Sequence, residues 1–447
     1  MLRKYCAVAV ILVMPITALA QKRTLSLEDA VAAGVEASPG LHASRMRLES
    51  SAAKSREIEA SRLPSVKFGG GYTRLSEVPP FEVTVPGSQV PFVVSENYFN
   101  NYSLRLGIQQ PLFTGFRLQA GAESARMLEK SAGQGLEKDR ADFVFAVKSA
   151  YWSLVRAREF EKITEENIRQ VGEHLKDVRA FFEQGLLTRN EVLRAELELS
   201  NAELSRFDAR SASELTLTSL NSLIGLPLET DVELTTLAES QASLLPVEET
   251  GLEETTKSTA MIESALANRP ELKSADFRIK ASELGVKAAN AGFYPQVYLS
   301  GNYYYLRPNP RYMPALDNFK RTWDLGISVS FDVWNWGQTK SQAEQAKAQL
   351  AQARDARQLL EDQAVLEVTQ SRLMLVQARE RMKLAAQAAG QAEENLRVTR
   401  ERFKQGVALN TDVLDADVAL LRARMNRAQA AIDLVLAQAR LEKALGR

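Results

Sequence analysis

The sequence predicts a mainly helical chain that also carries the strands of a membrane β-barrel, arranged as two tandem repeats. Each repeat reads as a strand pair followed by a long coiled-coil helical hairpin. Three observations lead there. First, one segment occurs twice: Phe182, Gln184-Gly185 and Val192-Leu193 align without a gap on Phe403, Gln405-Gly406 and Val413-Leu414. Internal repetition of this kind decides a fold before any single residue does. Second, proline is absent from 114 to 225 and again after Pro314, so long helices run uninterrupted. Third, four stretches of about ten residues alternate apolar and polar side chains, the period of a strand with one greasy face.

Taken in order, residues 1–20 read as a secretory signal: Arg3 and Lys4, an apolar core from Ala7 to Ile16, then Ala18-Leu19-Ala20. The chain's one cysteine, Cys6, falls inside it, so the exported chain is expected to have no disulfide, no thiolate chemistry and no lipidated cysteine. The first repeat spans 21–225. It has helices within 25–63, strands at 66–75 and 102–113, and a hairpin over 115–225. Ser26 caps the opening helix, with Glu28 and Asp29 in its first turn. Val66, Phe68, Gly70 and Tyr72 share one strand face, and Tyr102, Leu104, Leu106 and Ile108 share another. The first arm of the hairpin, nearly 70 residues up to Gln184, would be roughly 100 Å long at 1.5 Å per residue, which only a coiled coil can bury. Thr188 and Glu191, after the Gly185 turn, match a capping box.

Residues 226–260 carry eight acidic side chains and one basic one, with Pro227 and Pro246, and read as an acidic linker with little structure of its own. The second repeat, 261–447, has helices at 261–293, strands at 297–306 and 322–333, and a hairpin at 337–446. Its last strand alternates most clearly: Trp323, Leu325, Ile327, Val329, Phe331 and Val333 on one face, polar residues and Gly326 on the other. Tyr72, Tyr102, Trp323, Trp334 and Trp336 flank the strand ends as an aromatic girdle would. A small soluble sheet is the competing reading, but it would leave aggregation-prone edges exposed. Four strands cannot close a barrel, since about eight are needed to fill one. Membrane strands in this chain therefore call for several copies sharing one barrel.

Basic and acidic residues balance at 56 each, which gives no electrostatic case for a nucleic-acid partner. His42 and His174 lie far apart in the sequence, so neither a metal nor a cofactor is expected. Nucleophile elbow, phosphate loop and metal-ligand cluster are all missing from the sequence, and no enzyme is expected.

With these motifs in place, the chain resembles the TolC-type outer-membrane efflux proteins over its whole length after the signal. The resemblance rests on Leu25-Ser26-Leu27-Glu28-Asp29-Ala30, the Pro64 and Pro295 strand entries, Pro111-Leu112-Phe113-Thr114-Gly115, and above all the two Gly-centred tips. It implies a homotrimer with a twelve-stranded outer-membrane barrel continued by a periplasmic α-helical tunnel. It further implies docking on a periplasmic adaptor and an inner-membrane pump of RND, ABC or MFS type, and export of small solutes; a type I protein-secretion conduit is the alternative. A periplasmic adaptor or scaffold is a third, weaker reading, because adaptors carry one helical hairpin rather than two.

By the same resemblance Asp412 and Asp415, with Asn190 and Glu191 opposite, line the periplasmic constriction. Gly185, Leu186, Gly406 and Val407 form the tips that meet the adaptor. Capping remains an equal reading of Asp412 and Asp415 from the residues alone, since acids are favoured in a helix's first turn. Some relatives latch the closed state with a tyrosine and an arginine; Phe403 and Ala408 stand at those positions here, and Arg189 and Arg194 are the candidate substitutes.

Overall fold

The computed structural model describes residues 23–79, 81–83, 86, 87, 90, 92–95, 97–235 and 254–447. The signal sequence and residues 236–253 of the acidic linker lie outside them. In chain order the elements are β1 (Arg23–Leu25), α1 (Leu27–Ala37), α2 (Pro39–Ala60), β2 (Ser65–Arg74), β3 (Phe81–Val83), β4 (Phe92–Ser95), β5 (Asn100–Thr114), α3 (Arg117–Glu183) and α4 (Arg189–Ile224). There follow β6 (Val232–Leu234), α5 (Glu254–Asn268), α6 (Pro270–Ala289), a 3-10 turn at Asn290–Phe293, β7 (Gln296–Arg307), β8 (Lys320–Ser330), α7 (Gln338–Lys404) and α8 (Asn410–Ala444). None of the described helices is long and apolar enough to cross a membrane.

The chain divides into two compact units. One comprises the described parts of Met1–Leu41, Asp139–Ala267 and Val365–Arg447; the other comprises those of His42–Lys138 and Asn268–Ala364.

The second unit holds the sheet. Its four strands run in the order β2-β5-β7-β8, each antiparallel to its neighbour. Register places Phe68 beside Leu106, Leu106 beside Tyr303, and Tyr303 beside Trp323. Because side chains alternate strictly, this one row fixes the whole face: Val66, Leu104, Ile108, Leu299, Leu325, Ile327 and Val329 share it. Most of that face is exposed, with Phe68 at 71% and Trp323 at 69%. The opposite face is polar. There Arg105 donates to Asn302 Oδ1 through Nε (3.0 Å) and Nη2 (2.7 Å), and Asn302 Nδ2 donates to Asp324 (2.8 Å). Gly107 leaves room for this chain, since a Cβ there would lie 2.9 Å from Asn302 Oδ1. At one end Tyr72 and Tyr102 pack at 5.0 Å, and Phe319 stacks on Tyr305 at 4.9 Å; beyond the other end Trp334 and Trp336 meet edge to face at 5.7 Å. Helices of this unit join through small residues and hydroxyls: Ser131 and Ser274 meet at 2.8 Å, and Ser124 donates to the Ala281 carbonyl at 2.9 Å.

Besides a core around Ala265, Val368, Leu375 and Leu441, the first unit holds two further apolar cores. The larger one gathers Leu25 and Ala30 from the N-terminal segment, Tyr151, Trp152 and Leu154 from α3, Leu220 and Ile224 from α4, Val232 from β6, and Ile432 and Val435 from α8. Tyr151 Oη donates to the Leu25 carbonyl at 3.2 Å, satisfying the hydroxyl that burial strips of water. The smaller core lies around the Gly185 and Gly406 turns.

Pro39 begins α2 and Pro270 begins α6, because the first helical N–H needs no partner. Three expectations are corrected. The last strand stops at Ser330, three residues short of the expected 333, because its partner β7 begins at Gln296, which pairs with Ser330. The 226–260 segment has structure at both ends. Val232–Leu234 pairs in parallel with Arg23–Leu25, pinned by Asn221 Nδ2 donating to Leu228 O and Thr230 O, and helix α5 starts at Glu254. Thr188 precedes α4 with extended backbone, yet its side chain makes no capping bond.

A pair of substitutions tests the backbone reading. Gly225 has φ 75, and a Cβ there would lie 2.5 Å from Ala37 Cβ; Gly172 is helical with open space around it. Gly225→Ala is expected to lose at least about 1–2 kcal/mol through the left-handed backbone alone. Gly172→Ala should gain about 0.5–1 kcal/mol. Denaturant unfolding followed by circular dichroism should move in opposite directions for the two.

Candidate functional site at the hairpin tips

Both helical hairpins turn on the same chemistry. Gly185 and Gly406 take φ of 75 and 73, left-handed values that a Cβ disfavours. In each turn the Gly N–H bonds the carbonyl three residues back, Phe182 or Phe403, and the next N–H reaches Phe181 or Arg402, all at 2.9 Å. This double bond pattern ends a helix within one residue. Leu186 and Val407, just past the glycines, are each 68% exposed.

Behind the turns the four helices share an apolar core. Leu175 and Val178 come from α3, Val192 and Ala195 from α4, Leu396 and Phe403 from α7, and Val413, Ala416 and Leu420 from α8. Phe403 is buried, with its ring 5.0 Å from His174 and 5.5 Å from Phe181. The missing tyrosine hydroxyl at this position is thus replaced by aromatic packing.

Two polar groupings cross this core. Asn410, the first residue of α8, is 2% exposed and sits between the two helices of the first hairpin. Its Nδ2 donates to Glu191 Oε2 at 2.8 Å and to the Glu191 carbonyl at 3.2 Å; its Oδ1 lies 2.6 Å from His174 Nε2. An amide nitrogen can only donate, so Oδ1 faces the ring and His174 carries its proton on Nε2. Burial pushes the His174 imidazole below the ordinary histidine value. The Asn410 hydrogen bond opposes that shift, nearby Arg400 adds to it, and Asp177 opposes it. Two turns along α8, Asp417 is buried and accepts from Arg400 Nη2 at 2.9 and 3.2 Å; the same nitrogen reaches the Gln170 carbonyl at 3.3 Å. Burial pushes the Asp417 carboxyl up, the Arg400 ion pair pulls it back, and Glu198 adds to the rise. Arg424 spans further, bonding Glu166 of α3 at 3.2 Å and Glu393 of α7 at 2.9 Å.

The expected site residues fall into two groups. Asp412 and Asp415 are exposed at the start of α8, and Asp412 accepts the Leu409 N–H at 2.9 Å, so its capping role is real. Asn190 is exposed; Glu191 is half-buried and turned toward Asn410. The capping box expected from Thr188 and Glu191 is therefore absent, because the Glu191 carboxylate is drawn to the other hairpin. Arg189 and Arg194 are exposed, and among the described residues neither bonds the second hairpin. His174, Asn410, Arg400 and Asp417 carry the cross-hairpin contacts instead. One signal for them is present in the sequence: His174 interrupts the apolar series Val171, Leu175, Val178 that faces the seam.

The profile of the "Outer membrane efflux protein" family matches residues 35–226 and 261–447, and the chain belongs to that family. It is an outer-membrane channel protein and not an enzyme, reaching from the outer membrane into the periplasm. Outer membrane efflux protein BepC of Brucella suis is 24% identical over 362 residues, 78% of this chain and 73% of that one. Alkaline protease secretion protein AprF of Pseudomonas aeruginosa is 25% identical over 362 residues, covering 77% and 69%. Among solved structures, the outer membrane protein VceC of Vibrio cholerae superposes with a TM-score of 0.76 at 19% identity, covering 94% of this chain and 96% of that chain.

The Arg400–Asp417 pair generates a stability prediction. Arg400→Met leaves a buried carboxylate without its cation and is expected to cost about 3–5 kcal/mol; adding Asp417→Leu should recover much of that loss. The pH sign follows from the raised carboxyl. In Arg400→Met the fold is favoured while Asp417 is protonated and loses that stability as pH rises from the ordinary aspartate range through the raised value. Urea unfolding of both variants between acid and neutral pH checks it.

Proposed function

We propose that three copies of this chain form one duct across the outer membrane and periplasm, passing small solutes delivered by a periplasmic adaptor and an inner-membrane pump. The observation that carries the reading is the four-stranded sheet with one apolar face and no described strand on the outer edge of β2 or β8. Such edges are open templates for pairing. Antiparallel closure of β2 on the β8 of the next copy gives twelve strands, an even-numbered barrel wide enough for a passage. The apolar face then meets lipid, and Tyr72, Tyr102, Trp323, Trp334 and Trp336 form the girdles at its two ends. The family profile's two matches support a duplicated half as the building block of each copy.

Asp412 and Asp415 are the gate in this reading, with Asn190 and Glu191 bordering it. Three copies bring six aspartates to one axis, where unit charges about 7 Å apart repel by roughly 2 kcal/mol at an effective dielectric near 20. That ring favours cations and is blocked by multivalent ones. Capping by Asp412 and gating are compatible, since the carboxylate's second oxygen still faces solvent. Leu186 and Val407, exposed beside Gly185 and Gly406, are the adaptor-docking surface. A protein-secretion conduit is the second reading, and the similarity to AprF favours it; the partner transporter decides between them.

Single-channel recording in planar bilayers tests the duct and the gate together. The wild type is expected to show a small, cation-preferring conductance blocked by divalent or trivalent cations, and Asp412→Asn with Asp415→Asn to abolish the block. A conducting channel indifferent to both substitutions would return the aspartates to capping alone. A folded trimer that never conducts would remove the duct.

A further inference from the structure

We propose that His174, acting through Asn410, makes closure of the hairpin tips proton-dependent: the tips close on a neutral imidazole and part when it is charged. The proposal rests on the reading that these tips gate the duct. Its ground is geometric. Asn410 is the buried group that ties the second hairpin to both helices of the first, with His174 of α3 on one side and Glu191 of α4 on the other. It stands two residues before Asp412, so whatever frees Asn410 frees the turn that carries the gate carboxylate.

The charges around the ring fix the sign. On α3 itself Asp177 favours the imidazolium. From α7, Arg400 opposes it, and Phe403 offers an aromatic ring at 5.0 Å in place of water. From α8 come the neutral Asn410 amide and Asp417, whose charge is spent on Arg400. From α4, Glu191 is held beyond Asn410 by the amide's other end, and Glu198 faces Asp417. The closed site therefore offers the ring one neutral acceptor, a cation, the Asp177 carboxylate and apolar walls. A second proton, on Nδ1, would bury a charge there, and the balance of burial and Arg400 disfavours it. In parted tips the ring meets water and titrates near the ordinary histidine value, about 6.5. Closure is thus fully favoured above that value and weakens as pH falls below it.

The test uses the full-length protein in detergent and in bilayers. Spin labels on Glu183→Cys and Lys404→Cys, in a Cys6→Ser background, report the separation of the two tips by pulsed dipolar spectroscopy. At pH about 7.5 the distance distribution should be narrow, and at pH about 5.5 a longer component should appear. His174→Gln keeps a neutral donor for Asn410 Oδ1 and leaves Asp417 free to titrate. It should stay narrow at both pH values, which separates the histidine from the carboxyl. Asn410→Leu, checked for retained helix by circular dichroism, should show the longer component at both. In parallel, wild-type conductance should rise several-fold on acidification, and that of His174→Gln should not. A wild type insensitive to acid, a His174→Gln variant that responds as wild type does, or an Asn410→Leu variant still narrow at neutral pH each overturns the proposal. Absence of any current from folded trimer would remove the duct reading, and the distance distributions would still decide the latch.

Discussion

A β-strand has two hydrogen-bonding edges, and four strands in a row leave two of them open. In this chain those edges belong to β2 and β8, and the strands between them turn an apolar face outward. Most else follows from that constraint. Backbone N–H and C=O groups cannot remain unpaired in hydrocarbon, which is why the proposed duct completes the sheet with identical neighbours. In that proposal symmetric completion brings the helices that leave the sheet around one axis. The long arms α3 and α7, 67 residues each, would then carry the passage through water on coiled-coil packing.

The tips show a different balance. Coiled-coil seams are stabilised by apolar side chains, yet this one contains His174, Asn410, Arg400 and Asp417. Replacing such groups with hydrophobic residues often leaves a protein as stable or more so. Arg400 Nε even lacks a hydrogen-bond partner among the described residues. A seam built only for strength would be leucine throughout. In the proposed gate, polar groups that match each other in one arrangement and water in another would keep the two arrangements close in energy.

How far the sequence revealed this depended on distance along the chain. Strand alternation at Trp323, Leu325, Ile327 and Val329 was readable because it is local, and the same locality misled beyond Ser330: Phe331 and Val333 continue the pattern, but their pairing partner has run out. Gly185 and Gly406 announced left-handed turns because few other residues accept that backbone. Glu191 was misread because a capping box needs only three residues of context, whereas its actual partner lies 219 positions away. His174 and Asn410 are 236 apart, beyond any periodicity. β1 and β6 escaped notice since three residues carry no period, and their parallel pairing joins distant segments.

The core around Trp152 and the core at the tips have a consequence for how such chains change length. Helices α3, α4, α7 and α8 each contribute to the tip core, and each also supplies side chains to or against the core around Trp152. Between these clamps a single inserted residue rotates everything beyond it by about 100° and shifts it 1.5 Å. Inserting into one helix alone would therefore turn its tip side chains out of the core. Only insertions made in all four helices at once preserve both ends, and seven residues, two turns with a drift of about 20°, come closest to restoring the original faces. The separation of the cores is accordingly inherited in steps, and homologues differing in hairpin length should differ by matched blocks on both sides of each glycine.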